Sequence, residues 1–349
     1  MQGIAVRERS IEIDFIKAIS IIRVVLAHTC AGGYAHIIGS FNWTSALFWG
    51  CIARGSVPLF LMCSGAVLLM PGKNLPIKKI YIKYIPRLLA ALFFWATAYK
   101  LFNLAIENSL SPYTFIHAIK EVLLFNHETH LYYMHIIILV YGFLPITRVF
   151  VKNASKKELI YFLALWFVLG IAYPTVRVFW PFTLLRGIPV QWLMNMAYTS
   201  IGYCVLGYFL KTYPIKKGTG ICCLAAGLLI IFFGTYIFSI KTGELYEHFF
   251  EGMTVGVCLL ATGIFSLSIR SEFSKSLKLR QAITYFSKAS FCIYLVHIFF
   301  IKLFSLRGIT VFLLPSLISI PLIALLNIIC CLIVYLILSH VPVLRKWIV

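Results

Sequence analysis

Apolar stretches of roughly 20 residues recur along the whole chain between short polar connections, and each is long enough to cross a bilayer as a helix. The pattern predicts ten such spans, at 11–31, 44–70, 84–106, 131–150, 158–175, 191–210, 219–240, 248–269, 282–304 and 311–338. The run at 191–210 and the connection 107–130 are the least regular. The expected fold class is therefore all-α, a polytopic integral membrane protein of about ten transmembrane helices, with 1–349 forming one transmembrane domain and no appended soluble domain. Two longer connections interrupt the pattern. One runs from Glu107 to His130 and carries Ser111-Pro112 and an amphipathic piece around Phe115–Phe125. The other runs from Tyr173 to Val190, where Pro174, Pro181 and Pro189 break any helix. Both are placed to cap a cavity from one side. No low-complexity segment is visible, and no internal repeat of the kind that marks many transporters.

Composition agrees with this reading. Of 349 residues, 61% are hydrophobic and only 12% charged, against about 25% charged in soluble domains. A net charge of +20 raises the question of nucleic acid, but the distribution of the charge argues for a lipid bilayer and no nucleic-acid partner. If successive connections are assigned alternately to two sides, one side holds Lys100, Lys120, Arg177, Arg186, Lys241, Lys302 and Arg307. The other holds three times as many cations, 21 against 7, among them Arg7, Arg9, Lys73, Lys78 and Lys275. Cytoplasmic loops carry the excess of lysine and arginine, so both termini are expected in the cytoplasm, with an even number of spans. The ten cysteines show neither metal-ligand spacing nor a Cys-x-x-Cys pair. They read as packing residues, with no metal site expected. Asp14 and Lys17 interrupt the first apolar run, which argues against a cleaved signal peptide.

Those same residues make the first span chemically distinctive. Asp14, Lys17, Arg23 and His28 sit inside an otherwise apolar run, where ionisable groups are costly and usually face a protein interior or a wet cavity. Lys17 and His28 lie about three helical turns apart on nearly one face, with Asp14 close to that stripe and Arg23 pointing elsewhere. His28 is a candidate general base, because an imidazole titrates near neutral pH. Asp14 and Lys17, one turn apart, are expected to pair; a purely packing role for the cluster stays open. Arg54 falls within the second span, to hold an anion or a carbonyl, or to pair with an acid such as Glu251. Lys79, Lys83 and Arg87 share one face at helical spacing. That suits either lipid anchoring or a phosphate clamp for a cosubstrate such as coenzyme A. The segment His130-Leu-Tyr-Tyr133 and, beyond it, His135 stand at a span mouth, as interfacial residues or as contacts for a sugar. Tyr294 and His297, three apart on the ninth span, are a core hydrogen-bond pair or a substrate contact. No Walker loop, His-Glu-x-x-His or Gly-x-Ser-x-Gly elbow is present.

Taken in order, these pieces resemble the membrane-bound acyltransferase-3 family over nearly the whole chain. The family opens with Asp-x-x-Arg and, after ten residues, His; here it reads Asp14-Phe-Ile-Lys17 through to His28. A second-span pattern appears as Val57-Pro-Leu-Phe-Leu-Met-Cys-Ser-Gly65. The basic run before the third span, His130-Leu-Tyr-Tyr133 before the fourth, and Ile293-Tyr-Leu-Val-His297 in the ninth follow in the expected order. Lys17 replaces the usual arginine, which keeps the charge and loses the bidentate fork. The resemblance implies transfer of an acyl group, commonly acetyl from acetyl-coenzyme A, to a hydroxyl of a cell-envelope or surface polysaccharide sugar or a lipid-linked glycan. The surface-antigen O-acetyltransferases of Gram-negative bacteria look nearest, implying a multi-pass protein of the bacterial inner membrane. No permanently bound cofactor is expected. Catalysis would fall to His28, Lys17 and Asp14, donor binding to Arg54, Lys79, Lys83 and Arg87, and acceptor binding to His130, Tyr133, Tyr294 and His297. A proton-coupled transporter or flippase of a lipid-linked sugar, or a membrane scaffold without activity, are the competing readings.

Overall fold

A computed structural model describes residues 9–73, 75–271 and 276–348; Arg7 and Lys275, counted above among the cations of the basic side, lie outside them. In chain order the helices are α1 (Ile11–Gly33), α2 (Phe41–Ala53), α3 (Ser56–Leu68), α4 (Ile77–Lys79), α5 (Ile85–Ile106), α6 (Pro112–Leu123), α7 (Tyr132–Asn153), α8 (Lys156–Phe167), α9 (Tyr173–Val176), α10 (Met196–Thr212), α11 (Lys217–Thr242), α12 (Val255–Ile269), α13 (Leu277–Leu306), α14 (Ser316–His340) and α15 (Pro342–Trp347). No strand occurs among the described residues, so the all-α polytopic architecture holds.

Nine segments among the described residues are long and apolar enough to cross a membrane. The tenth expected span is α10, which begins only at Met196, after Pro189 and a short 3₁₀ segment, Ile188–Trp192. Its 17 residues rise about 26 Å, slightly short of a hydrocarbon core of about 30 Å. α10 compensates by lying inside the bundle, where its neighbours are protein. It packs along α3 so closely that a Cβ on Gly65 would stand 1.8 Å from the Cys204 carbonyl oxygen, and one on Gly207 2.1 Å from that of Met62. Small residues that let backbones meet are the usual means of holding helices together in lipid, where burial of apolar surface gives little drive.

Local signals set the helix ends. Ser40 caps α2, Asn195 caps α10, and Ser155 and Glu158 exchange bonds as a capping box for α8; each satisfies amide groups that helix starts leave open. Arg148 of α7 donates to the carbonyls of Leu68 and Lys73 and so closes the other end of α3. Helix α1 is the hub: α2, α3, α12, α13 and α14 all pack against it. The outer faces of α11 and α14 expose Leu229, Phe233, Ile237, Leu322, Ile329 and Ile333, as suits a surface solvated by acyl chains. The amphipathic piece expected near 115–125 is α6. It buries Ala118 and Val122 against the bundle and turns Tyr113 and Ile116 outward.

Two irregularities shape the interior. The crossing Phe41–Leu68 is broken at Arg54-Gly55: Arg54 is extended, and Gly55 takes φ +83°, a left-handed value that glycine adopts without penalty. Pro58 then falls in the first turn of α3, where a missing N–H costs no hydrogen bond. The second irregularity is a π-helical turn at Ile80–Tyr84, between α4 and α5.

Candidate active site

The stripe read from α1 lines a cavity. A space of about 760 Å³ follows Lys17, Val24, Ala27, His28, Ala31 and Tyr34, which spans about 25 Å of helix rise. At the end nearest the basic loops its wall holds Lys17, Arg87 and Lys288, with Tyr84 and Ser287 beside them. At the opposite end it holds Tyr34, Leu245, Glu247, Phe250 and Gly252. Between these ends stand His28, the Arg54–Pro58 break, Tyr133, His130 and Tyr294. The fold thus brings His28, Lys17, Arg54, Arg87, His130, Tyr133 and Tyr294 to one chamber.

Several of the expected contacts differ. Asp14 does not pair with Lys17 and does not line the cavity. Only 4% exposed, it accepts from Arg9 and from Ser287 Oγ at 2.7 Å, while Arg9 Nη2 reaches the same Ser287 at 3.2 Å. Arg9 precedes the helix and can fold back onto its first turn. Lys17, one turn on, is thereby left facing the chamber. Asp14 therefore ties the start of α1 to α13 and stands behind the wall, bonded to its Ser287.

All three cations of the expected face, Lys79, Lys83 and Arg87, are exposed, and a π turn at Ile80–Tyr84 lies between the first and the last of them. Arg87 reaches the wall; Lys79 and Lys83 are exposed outside it, with Lys79 over the Tyr84 ring at 6.0 Å. Lys288 of α13 stands in the wall instead.

Arg54 has no ion pair with Glu251 among the described residues. Its guanidinium lies 3.9 Å from the centre of the Phe250 ring, and its buried Nε has no hydrogen-bond partner among the described residues. Arg23 does point away from the stripe: it is 8% exposed and donates to the Arg54 carbonyl, one of the groups freed by the helix break.

His130 is not a mouth residue. The 3₁₀ turn Thr129–Leu131 folds it inward until it is 4% exposed. Its ring there stands edge-on to His28 at 6.4 Å and to Tyr99 at 5.0 Å between centroids. His135 turns the other way and meets His127, Nε2 to Nε2 at 2.9 Å. Tyr294 and His297 are not paired side chain to side chain; the contact between them runs from His297 Nδ1 to the Tyr294 backbone carbonyl at 2.8 Å. The Tyr294 hydroxyl donates to the His130 carbonyl at 2.7 Å, while His297, fully buried behind the wall, stands 5.0 Å from His28 between ring centroids. No cluster of three metal-ligating groups in metal-binding geometry occurs among the described residues.

Sequence reading missed Tyr34, Ser287, Lys288, Glu247 and Phe250. Of these only Lys288 carried a signal, a cation on the basic side next to an apolar run. The others belong to the wall through packing between segments far apart in sequence.

An all-α bundle whose long apolar helices surround a polar chamber lined by His28 and His130 defines a polytopic membrane protein. The family model described as an acyltransferase domain matches residues 10–336, and the chain belongs to the acyltransferase-3 family: it is a multi-pass membrane acyltransferase. No curated protein and no solved structure matches it.

Proposed function

We propose that the protein moves an acetyl or related acyl group from acetyl-coenzyme A to a hydroxyl of a cell-envelope or surface polysaccharide sugar, in the inner membrane of a bacterium. One observation carries this reading: a single chamber runs from a cationic end, Lys17–Arg87–Lys288, past His28 to a far end bearing Glu247. Three cations suit the phosphates of a coenzyme A lying on the basic side, since ammonium and guanidinium groups form charge-assisted bonds with phosphate oxygens. The pantetheine arm then follows the α1 stripe and brings the thioester to His28.

His28 takes the proton of the acceptor hydroxyl as that oxygen attacks the thioester carbonyl. The carbonyl becomes a tetrahedral oxyanion beside the unpaired edge of Arg54 and the start of α3, whose free amides present a positive dipole end. Collapse of the intermediate breaks the carbon–sulfur bond, and the coenzyme A thiolate leaves with the proton held by the imidazolium. A brief acyl-histidine that relays the group to an acceptor from the far side uses the same residues.

Two measurements test this reading. Coenzyme A at 100 times its dissociation constant stabilises the detergent-purified protein by about 2.7 kcal/mol, read as a rise in melting temperature. A flippase or scaffold gives no such rise, and its absence removes the acyltransfer scheme. Arg54→Met keeps the side-chain bulk and removes the charge. It lowers kcat about 10²–10³-fold, the effect of losing one oxyanion donor, with the coenzyme A melting shift preserved. An unchanged kcat excludes Arg54 from this role.

A further inference from the structure

Three histidines from distant parts of the sequence meet midway along the chamber, His28 and His130 in its wall and His297 behind it, and the backbone dictates how one of them is protonated. His297 is 0% exposed. Its Nδ1 lies 2.8 Å from the Tyr294 carbonyl oxygen and 3.1 Å from that of Ile293. A carbonyl oxygen only accepts, so Nδ1 must carry the hydrogen, and Nε2 is left as a bare lone pair. This Nε2 is buried and has no partner among the described residues. An unmatched buried acceptor is destabilising, and it implies that a donor comes to it in the working state.

The His28 ring is the neighbour placed to supply that donor. Its centroid is 5.0 Å from that of His297, with the planes tilted by 51°. Two imidazoles take about this spacing when a ring N–H of one meets a ring nitrogen of the other at about 3 Å. The backbone that carries the His297 ring is held as well. Asn327, also 0% exposed, donates from Nδ2 to the His297 carbonyl at 2.9 Å. His130 stands edge-on to both rings, at 6.4 Å from His28 and 5.4 Å from His297.

We infer that His297 is the positioning residue for His28: its Nε2 accepts the N–H of the His28 ring and so turns the opposite, bare nitrogen into the chamber. This rests on His28 being the base of the acyl transfer. A base must present a lone pair, and a free imidazole exchanges its hydrogen between two nitrogens. A fixed acceptor behind it selects one of these forms. In many hydrolases a carboxylate performs this service. At membrane depth a neutral imidazole gives the same orientation without a second buried charge. The resting pair of imidazoles is thereby uncharged, and a positive charge appears on it only while the hydroxyl proton is in transit.

The test uses the full-length protein labelled with ¹⁵N-histidine in detergent micelles, with the His28 and His297 signals assigned by His28→Ala and His297→Phe. In the wild type, His297 is expected to carry its hydrogen on Nδ1 and His28 to show a single tautomer. In His297→Phe, His28 averages over both tautomers; in His130→Phe it stays fixed. Kinetically, His297→Phe lowers kcat about 10²-fold, the lower end of what general-base catalysis contributes, with KM for the acyl donor unchanged. His297→Gln, whose amide oxygen also accepts, recovers about tenfold of that loss. A hydrogen on Nε2 of His297 in the wild type overturns the inference without any variant. So does a His28 tautomer indifferent to His297→Phe, or one released by His130→Phe instead. A wild-type protein that neither binds coenzyme A nor turns over an acyl donor defeats the functional reading; the tautomer measurement then still decides whether this hydrogen bond exists.

Discussion

His28→Ala abolishes acyl transfer, with a loss of at least about 10²–10⁴-fold, while the protein continues to fold, insert and bind coenzyme A. The size of the effect follows from position. His28 borders the chamber from the α1 stripe, between the cationic end and Glu247, where the proposed scheme brings thioester and hydroxyl together. The folding cost is small because one side of the ring already faces open space. Removing it enlarges an existing cavity, whereas truncation in a sealed core leaves a new void. On the proposed scheme the phosphates lie about three turns away, at Lys17, Arg87 and Lys288, so the melting shift with coenzyme A is expected to persist. Turnover of acyl donor and melting temperature, measured on the same preparation, separate the two effects. A wild-type rate in His28→Ala eliminates the imidazole as base or acyl carrier.

Gly207→Leu is expected to prevent folding altogether. Its Cβ alone would stand 2.1 Å from the Met62 carbonyl oxygen, and a backbone atom in a helix cannot swing aside as a side chain does. Overpacking typically costs about 1–3 kcal/mol; here two helices must separate along their line of closest approach, so the cost lies above that range. Helix α3 brings Ser56, Val57, Pro58 and Ser64 to the chamber wall. A displaced α3 therefore loses the site together with the fold. The expected readout is loss of the monodisperse peak on size-exclusion chromatography in detergent, with no recoverable transfer. Gly218→Ala, where a Cβ meets nothing within 4 Å, serves as the control and leaves both unchanged. A monodisperse, active Gly207→Leu protein contradicts the α3–α10 packing.

How much of this was legible in the sequence depended on distance along the chain. Apolar runs announced the crossings, because period and length are local properties, and the Lys17–His28 stripe survived intact because it needs only one regular helix. Gly55 and Pro58 hinted at a special second crossing. The break itself depends on Arg23 of α1 donating to the Arg54 carbonyl, a contact with no local signature. Spacing along the basic run showed neither the π turn at Ile80–Tyr84 nor that Arg87 alone of Lys79, Lys83 and Arg87 lines the chamber. Asp14 was matched to the wrong cation because spacing within a helix cannot anticipate a residue folding back from outside it. The meeting of His28, His130 and His297 joins three distant segments through tertiary packing alone. The family pattern signalled it only as three separate fragments.

The lining of the chamber has a consequence for the cell as well as for the reaction. A wet path along about 25 Å of α1 would, if electrically neutral, short-circuit the gradient that the surrounding membrane maintains. Lys17, Arg54, Arg87 and Lys288 against the single carboxylate of Glu247 disfavour hydronium and metal ions there, as fixed positive groups do in water-conducting pores. On the proposed reading, the charges that draw in an anionic donor thus also oppose a leak of cations.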